Sequence, residues 1–286
     1  MNIAALQFYT FQIFWFFAHP KIRVLIIARR LVKKVVKGKK RPLPSIDLTL
    51  HLIPRKIWIY WAQGWDSAPQ LVILCRDSWI ARNPGWEIVE IDKDTVINHC
   101  TVPSVLTEKK IPHVWQSDII RLHLLSQQGG VWADATTFCT QSLDEWLPGV
   151  TQSGFFAFDK PKTTLASWFL VSRKQHLLVV KWQQFADVYW RYLKHQRRYW
   201  IFFLFEYLIL FNPQVRAIWF STPYINSDGA YTVQHLLKAE IKPIEDCVGL
   251  LTKDISPVHK LDWKMEIPDT FLNILTLNIQ NLEKED

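Results

Sequence analysis

No acidic residue occurs before Asp47, although the same stretch is crowded with lysine and arginine. Residues 1–41 hold ten of the thirty-four basic residues, leaving twenty-four basic against twenty-six acidic ones in the rest. The formal charge of +8 therefore belongs to an N-terminal arm, and a nucleic-acid-binding body is not implied. Cysteine is sparse as well. Cys75, Cys100, Cys139 and Cys247 form no CxxC pair and have no histidine at zinc-ligand spacing, which favours free buried thiols in a reducing compartment. No apolar run reaches the roughly 20 residues that cross a bilayer. Ile3 to Ala18 is interrupted by Gln7, Thr10 and Gln12 and stopped by Pro20, and Tyr199 to Phe211 carries Glu206 in its middle, which suits a core helix or a membrane-facing surface. Glycine is scarce where a phosphate-cradling loop needs it: Ala62-Gln63-Gly64-Trp65-Asp66 offers a single one, so an α/β enzyme such as a nucleotidyltransferase ranks last among the functions this chain could serve.

What the chain does have is aromatic mass, with fifteen tryptophans, some expected to face a membrane interface or a flat ligand. Its 286 residues are enough for one large α/β domain or two small ones, and a single catalytic domain with an appendage is the default. Three parts are expected: a basic amphipathic membrane-associating arm (1–41), a proline-containing linker (42–52) and a catalytic domain (53–286). In the arm, the segment from Lys21 to Arg41 alternates apolar and basic residues at helical spacing, as in a helix lying on an anionic membrane surface. Its charges follow the apolar run, the reverse of a secretory signal, and the positive-inside rule keeps the body at the cytoplasmic face of the membrane, peripheral or monotopic. The alternative is an arm packed on the protein's own core.

Lys56 to Trp61 is a β-branched and aromatic run between Pro54 and Gly64, and reads as a buried strand. Ala68 to Ala81 reads as a helix ended by Asn83-Pro84-Gly85, and Trp86 to Ile91 as a second strand. Strand, helix, strand at this spacing is a βαβ unit of a parallel sheet, whose ligands bind at the carboxyl ends of the strands. Trp61 stands at such an end; the alternative is a Trp packed under a loop. Ser117 to Gln128 reads as a helix with Ser117 as N-cap, Asp118 at the positive dipole end and Gly129-Gly130 as the stop. Val131 to Phe138 reads as a strand with Asp134 in its middle.

A carboxylate in such a strand needs a partner, because an unpaired buried charge costs several kcal/mol. Asp118 and Arg121, three apart on one helical face, converge with Asp134 if the Gly-Gly turn folds strand against helix. Two carboxylates and a guanidinium can grip sugar hydroxyls and a nucleoside diphosphate, helped by an oxygen-seeking cation. A structural ion pair between Arg121 and one aspartate explains the same spacing.

Ile53 to Pro69 (IPRKIWIYWAQGWDSAP), Ser117 to Thr136 (SDIIRLHLLSQQGGVWADAT) and Ser256 to Lys264 (SPVHKLDWK) resemble the capsular polysaccharide synthesis glycosyltransferases, relatives of the DXD-containing sugar transferases. The resemblance implies an α/β fold of GT-A type: a nucleotide-binding sheet with flanking helices, here with the membrane-associated arm added. It implies a glycosyltransferase that moves a sugar, with retention of configuration, from a nucleotide-sugar donor onto a growing cell-surface polysaccharide or lipid-linked glycan. Trp61 would stack on the base, Asp118 and Arg121 would hold the donor sugar, and Asp134 would open the DXD motif and bind manganese or magnesium. The third motif position is Thr136, a weaker and neutral ligand, so a catalytically inactive GT-A-fold scaffold or partner subunit is the alternative. His259 and Lys260, in the last block, would supply positive charge opposite the diphosphate, or else form a surface pair.

Overall fold

The computed structural model describes residues 53–282, apart from 110, 161–162, 193–197, 240–243, 253 and 266. The membrane-associating arm and the linker expected from the sequence lie outside the described residues. The strands are β1 (Lys56–Tyr60), β2 (Glu87–Ile91), β3 (Gly130–Asp134), β4 (Thr137–Cys139), β5 (Phe155–Lys160), β6 (Thr164–Ser172) and β7 (Val258–Lys260). The helices are α1 (Gln70–Arg82), α2 (Val105–Glu108), α3 (His113–Gln127), α4 (Leu143–Trp146), α5 (Leu177–Tyr192), α6 (Trp200–Phe211), α7 (Pro213–Ser221), α8 (Thr232–Ala239), α9 (Ile244–Gly249) and α10 (Asp269–Leu282).

β1, α1 and β2 form the expected βαβ unit, and β1 pairs in parallel with both β2 and β3. The five-stranded sheet, in the order β2-β1-β3-β6-β5, is nevertheless mixed, because β6 runs antiparallel to both β3 and β5. Only three residues separate β5 from β6, too few for the crossover that a parallel pair requires. Strand alternation then sorts the side chains onto two faces. Trp58, Tyr60 and Trp132 pack with α3, α5 and α6 on one face, and Ile57, Ile59, Val131 and Ala133 pack with Val72 and Trp79 of α1 on the other. A third apolar cluster joins α1 to α8, α9 and α10.

Tryptophan turns out to be chiefly a core material. Trp58, Trp79, Trp132, Trp182, Trp190, Trp200 and Trp219 are all fully buried, whereas Trp263 is exposed. The four cysteines are free and buried, as expected. Of the two expectations for residues 199–211, the core helix holds. α6 buries Trp200, Ile201, Leu204 and Phe205, and its Glu206 is buried with them and accepts a 2.8 Å hydrogen bond from Thr164 Oγ1. Among the described residues no single helix is long and apolar enough to cross a membrane; α6 and α7 together are, but they meet at a 106° bend.

Two features of the segment from Ser117 to Phe138 differ from the sequence reading. Helix α3 begins a turn earlier, with Pro112 in the N-cap position, so Ser117 is an interior residue whose hydroxyl donates to Val114 O at 2.8 Å. A proline entry serves because its missing N–H is one the first turn leaves unpaired anyway. The expected strand is also two strands, β3 in the main sheet and β4 paired with β7, so Asp134 ends a strand instead of occupying its middle. Helix α1 causes the break. Trp79 Nε1 donates to Thr137 O at 2.9 Å, Cys139 N donates to Ser78 Oγ at 2.9 Å, and Leu143 N donates to Asn83 Oδ1 at 2.7 Å. These buried bonds pull the chain out of the sheet directly after Asp134.

The stop between α3 and β3 depends on Gly129, whose φ of +72° suits glycine and whose absent side chain leaves room for Lys174. A Cβ there would lie 2.5 Å from Lys174 N, a backbone atom that cannot swing aside. Left-handed strain and the clash act together, so Gly129→Ala is expected to cost about 3 kcal/mol, measured as a lower urea midpoint at unchanged m-value.

Candidate functional site

Parallel pairing sets Tyr60 beside Asp134, so β1 and β3 end together at the carboxyl edge of the sheet. There α3 brings Asp118 and Arg121 up against Asp134. Arg121 lies 3.1 Å from Asp118 Oδ1 and 3.3 Å from Asp134 Oδ1. The guanidinium is locked in place. It donates to the Ser117 carbonyl and hydroxyl at 3.1 Å each and to the carbonyl of Ser167 on β6, and it lies 4.9 Å from the centroid of the Trp132 ring. The convergence expected of Asp118, Arg121 and Asp134 is therefore present. It is a three-membered cluster that also contains the ion pairs of the structural alternative.

Exposure rises outward through the cluster: the Arg121 side chain is 4% exposed, Asp118 13%, Lys260 17% and Asp134 26%. The deep members fix the geometry, and the shallow ones, Lys260 and Asp134, are the most open to solvent. Lys260 joins through β7, where it sits opposite Thr137 of β4, and Leu261 N donates to Thr136 O at 2.8 Å. Its ammonium is 3.5 Å from Asp134 Oδ2 and donates to Thr136 Oγ1. Two carboxyl groups, a guanidinium and an ammonium thus share one strand edge.

His259 and Trp61 are not brought into this cluster. Alternation along β7 turns His259 to the opposite side from Lys260, where it is fully buried with Nε2 3.1 Å from Thr252 O. Burial lowers its pKa, countered by hydrogen bonds with Thr252 and Ser256, which works against a positive charge on the ring. Trp61 follows β1 at the same sheet edge, but it packs with the core of the other face and meets Trp263 edge-on at 5.2 Å.

The sequence reading missed Trp132. Its indole Nε1 donates to Asp134 Oδ1 at 2.9 Å while its ring underlies Arg121. The signal was present, since residues two apart on a strand share a face. Tyr231 lies within electrostatic reach of Asp134. Burial raises its hydroxyl pKa, and the charge of Asp134 adds to the rise; the hydroxyl accepts a 2.8 Å bond from Lys160. A separate cavity of about 520 Å³ lies near the far end of β4, lined by Arg82, Cys139, Thr252 and Asn278, and contains none of the four charged residues of the cluster.

Burial pushes the Asp118 carboxyl up to about 7, against the pull of Arg121 and with help from Asp134. In the unfolded chain the ordinary value is 3.8. A carboxyl raised on folding contributes stability that is fully present below the unfolded value and is lost as pH rises through the folded one. Wild-type Tm should therefore fall between about pH 4 and about pH 8 more steeply than that of Asp118→Asn, which lacks this titration. Parallel Tm–pH curves for the two proteins would contradict the assignment.

A divalent cation of the magnesium or manganese kind wants near-octahedral oxygen ligands, chiefly carboxylates and phosphates. The residues at the motif position do not fit that demand. Asp134 Oδ1 is engaged by Trp132 and Arg121, Oδ2 faces Lys260, and the Thr136 hydroxyl accepts from the same ammonium. Among the described residues no group of three His, Cys, Asp or Glu side chains is arranged to hold a metal.

Fold and cluster together define a mixed α/β domain with an Asp-Arg-Asp-Lys cluster at the carboxyl edge of its parallel strands. The chain belongs to the family described as capsular polysaccharide synthesis protein, whose profile matches residues 24–274. It is similar to HOC1 of Saccharomyces cerevisiae, 25% identical over 138 residues that make up 42% of this chain and 34% of that protein. Glycosyltransferase afumC of Aspergillus fumigatus is 34% identical over 103 residues, 32% of this chain and 26% of the relative. O-glycosyltransferase braB of Annulohypoxylon truncatum is 22% identical over 158 residues, 48% of this chain and 38% of the relative. The matches thus span about a third of the length of these relatives. Among solved structures, PaToxG glycosyltransferase aligns over 80% of this chain and 86% of its own at a TM-score of 0.42 and 12% identity.

Proposed function

We propose that this chain is a glycosyltransferase that moves a sugar from a nucleoside-diphosphate sugar onto a growing cell-surface polysaccharide or a lipid-linked glycan. The observation that carries this reading is the meeting of Asp118, Arg121, Asp134 and Lys260 at one strand edge, with the cations and carboxylates that a diphosphate and a sugar respectively require. Family membership and relatives named as glycosyltransferases support it.

In this reading Lys260 faces the diphosphate and the Asp134 carboxylate binds a sugar hydroxyl, while the more deeply held Arg121 and Asp118 set their positions and the charge of the site. Trp132 holds Asp134 in one rotamer, so the developing charge on the leaving diphosphate meets groups already oriented, which is the larger part of electrostatic catalysis. The stereochemical course is retention. The acceptor is reached from the cytoplasmic side of a membrane, to which residues 1–41 bind through their ten basic residues.

Purified full-length protein, given a panel of nucleotide sugars together with membranes or extracted glycans, is expected to move labelled sugar from one donor class into a glycan product detected by mass spectrometry. Folded protein that transfers no sugar from any donor would favour a scaffold that keeps the fold without the reaction.

A further inference from the structure

The third position of the motif, Thr136, and the ammonium of Lys260 are two halves of one exchange. We propose that Lys260 is the resident cation of the donor site, standing where a divalent metal would otherwise bridge Asp134 and the diphosphate, so that donor binding needs no metal. This inference rests on the donor-site reading above.

Three observations carry it. The first is position: the ammonium lies between Asp134 Oδ2 and Thr136 Oγ1, the first and third residues of the Asp134-Ala135-Thr136 segment, where a motif-bound cation would contact both side chains. Its backbone is fixed there by the β4–β7 pairing, with Lys260 opposite Thr137 and Leu261 N bonded to Thr136 O. The second is charge. Two aspartates with a dication sum to zero, and so do one aspartate, a threonine and an ammonium. Losing the second carboxylate and replacing the dication with a monocation therefore leave the local charge unchanged. The third is spare capacity. An ammonium has three donors, and Asp134 and Thr136 take two. The 3.5 Å separation from Asp134 is longer than the roughly 2.8 Å of a tight charge-assisted bond. Nearby Asp262 is already bonded to Lys238 at 2.9 Å and does not claim the third donor. A partly exposed cation with a donor left over, beside the deeply held Arg121, suits a phosphate oxygen.

The chemical step balances without a metal. The bond between the anomeric carbon and the diphosphate oxygen breaks with its electron pair left on that oxygen, and the acceptor hydroxyl oxygen bonds to the carbon. The acceptor's proton leaves with the diphosphate. Lys260 stays protonated throughout and neutralises the charge that gathers on the leaving group. As a compact point charge it needs no particular ligand geometry.

The test is calorimetric binding of UDP, GDP, ADP, CDP and dTDP to the full chain in EDTA and in manganese. For whichever diphosphate binds, affinity in EDTA is expected within about 2-fold of that in manganese, because no coordination site contributes. Lys260→Met is expected to weaken binding at least about 30-fold, and Lys260→Arg, which keeps the charge, only about 5-fold or less. Circular dichroism checks that both variants fold. Two results would overturn the inference alone: a drop of about 10-fold or more on adding EDTA to the unaltered chain, or a folded Lys260→Met that binds like wild type. No binding of any diphosphate by the unaltered chain in either buffer overturns the donor-site reading and this inference with it.

Discussion

Asp134→Ala is expected to reduce sugar transfer by about 10³-fold or more while leaving the protein folded. Asp134 is the point where the cluster joins. Its Oδ1 accepts from Trp132 Nε1 at 2.9 Å and lies 3.3 Å from Arg121, and its Oδ2 faces Lys260 at 3.5 Å. Removing the carboxylate leaves two cations without the anion that sets their spacing, and it removes an acceptor for a sugar hydroxyl. The structural cost is smaller. Asp134 is the most exposed member of the cluster, and Arg121 keeps Asp118, Ser117 and Ser167, so a loss of about 1–3 kcal/mol is expected. Turnover with saturating donor, measured beside a urea melt, separates the two effects. Asp134→Asn, which keeps an oxygen for the Trp132 indole, should be nearly as inactive and more stable than Asp134→Ala. A folded Asp134→Ala that retains wild-type turnover would show that the carboxylate plays no part in the chemistry.

Arg121→Met reverses the balance, with stability falling by about 3–5 kcal/mol and activity lost besides. The guanidinium is almost wholly buried and joins three elements: the Ser117 carbonyl and hydroxyl of its own helix, the Ser167 carbonyl of β6, and Asp134 at the end of β3. Methionine fills much of the volume but leaves the buried Asp118 carboxyl without its cation and the Ser167 carbonyl without its donor. Asp118 then holds its proton to still higher pH, because Arg121 is the charge that opposes its desolvation. Arg121→Lys is expected to recover little, since one ammonium does not reproduce a planar fork that donates in several directions at once. Urea unfolding of the two variants and wild type reads the effect. A loss under about 1 kcal/mol for Arg121→Met would contradict the locked geometry described here.

Much of the sheet was legible because its signals were local. β1, α1 and β2 were marked by a β-branched and aromatic run, a turn sequence and an alternating run, and each formed within two residues of its expected bounds. The start of α3 was misread because Ser117 has the chemistry of a cap, whereas Pro112, a turn earlier, provides the entry. The strand break after Asp134 left no local trace. The segment from Val131 to Phe138 has strand composition throughout, and the bonds that divide it come from Ser78, Trp79 and Asn83, about sixty residues away in sequence. The antiparallel half of the sheet was missed although the three-residue gap between β5 and β6 allows no crossover.

Within the site, Asp118, Arg121 and Asp134 could be read from helical spacing and a glycine turn, and the structure brings them together. Lys260 could be nominated only by its sequence block, since it meets Thr136 across 124 residues of chain. The strand that separates it from His259 was not read in the sequence; once β7 is formed, adjacent residues cannot both face one site. Trp132 was legible by the same rule and was overlooked because a tryptophan between valine and alanine looks like core, which most of its ring is.

The central claim is that the cluster around Asp134 binds and opens a nucleotide sugar. Release of nucleoside diphosphate from a panel of nucleotide sugars, measured for the purified full chain and for Asp134→Ala, tests it most directly. One donor class is expected to be turned over by the unaltered chain and not by the variant. Folded wild-type protein that releases diphosphate from no donor, or a variant that releases it as fast as wild type, would contradict the claim.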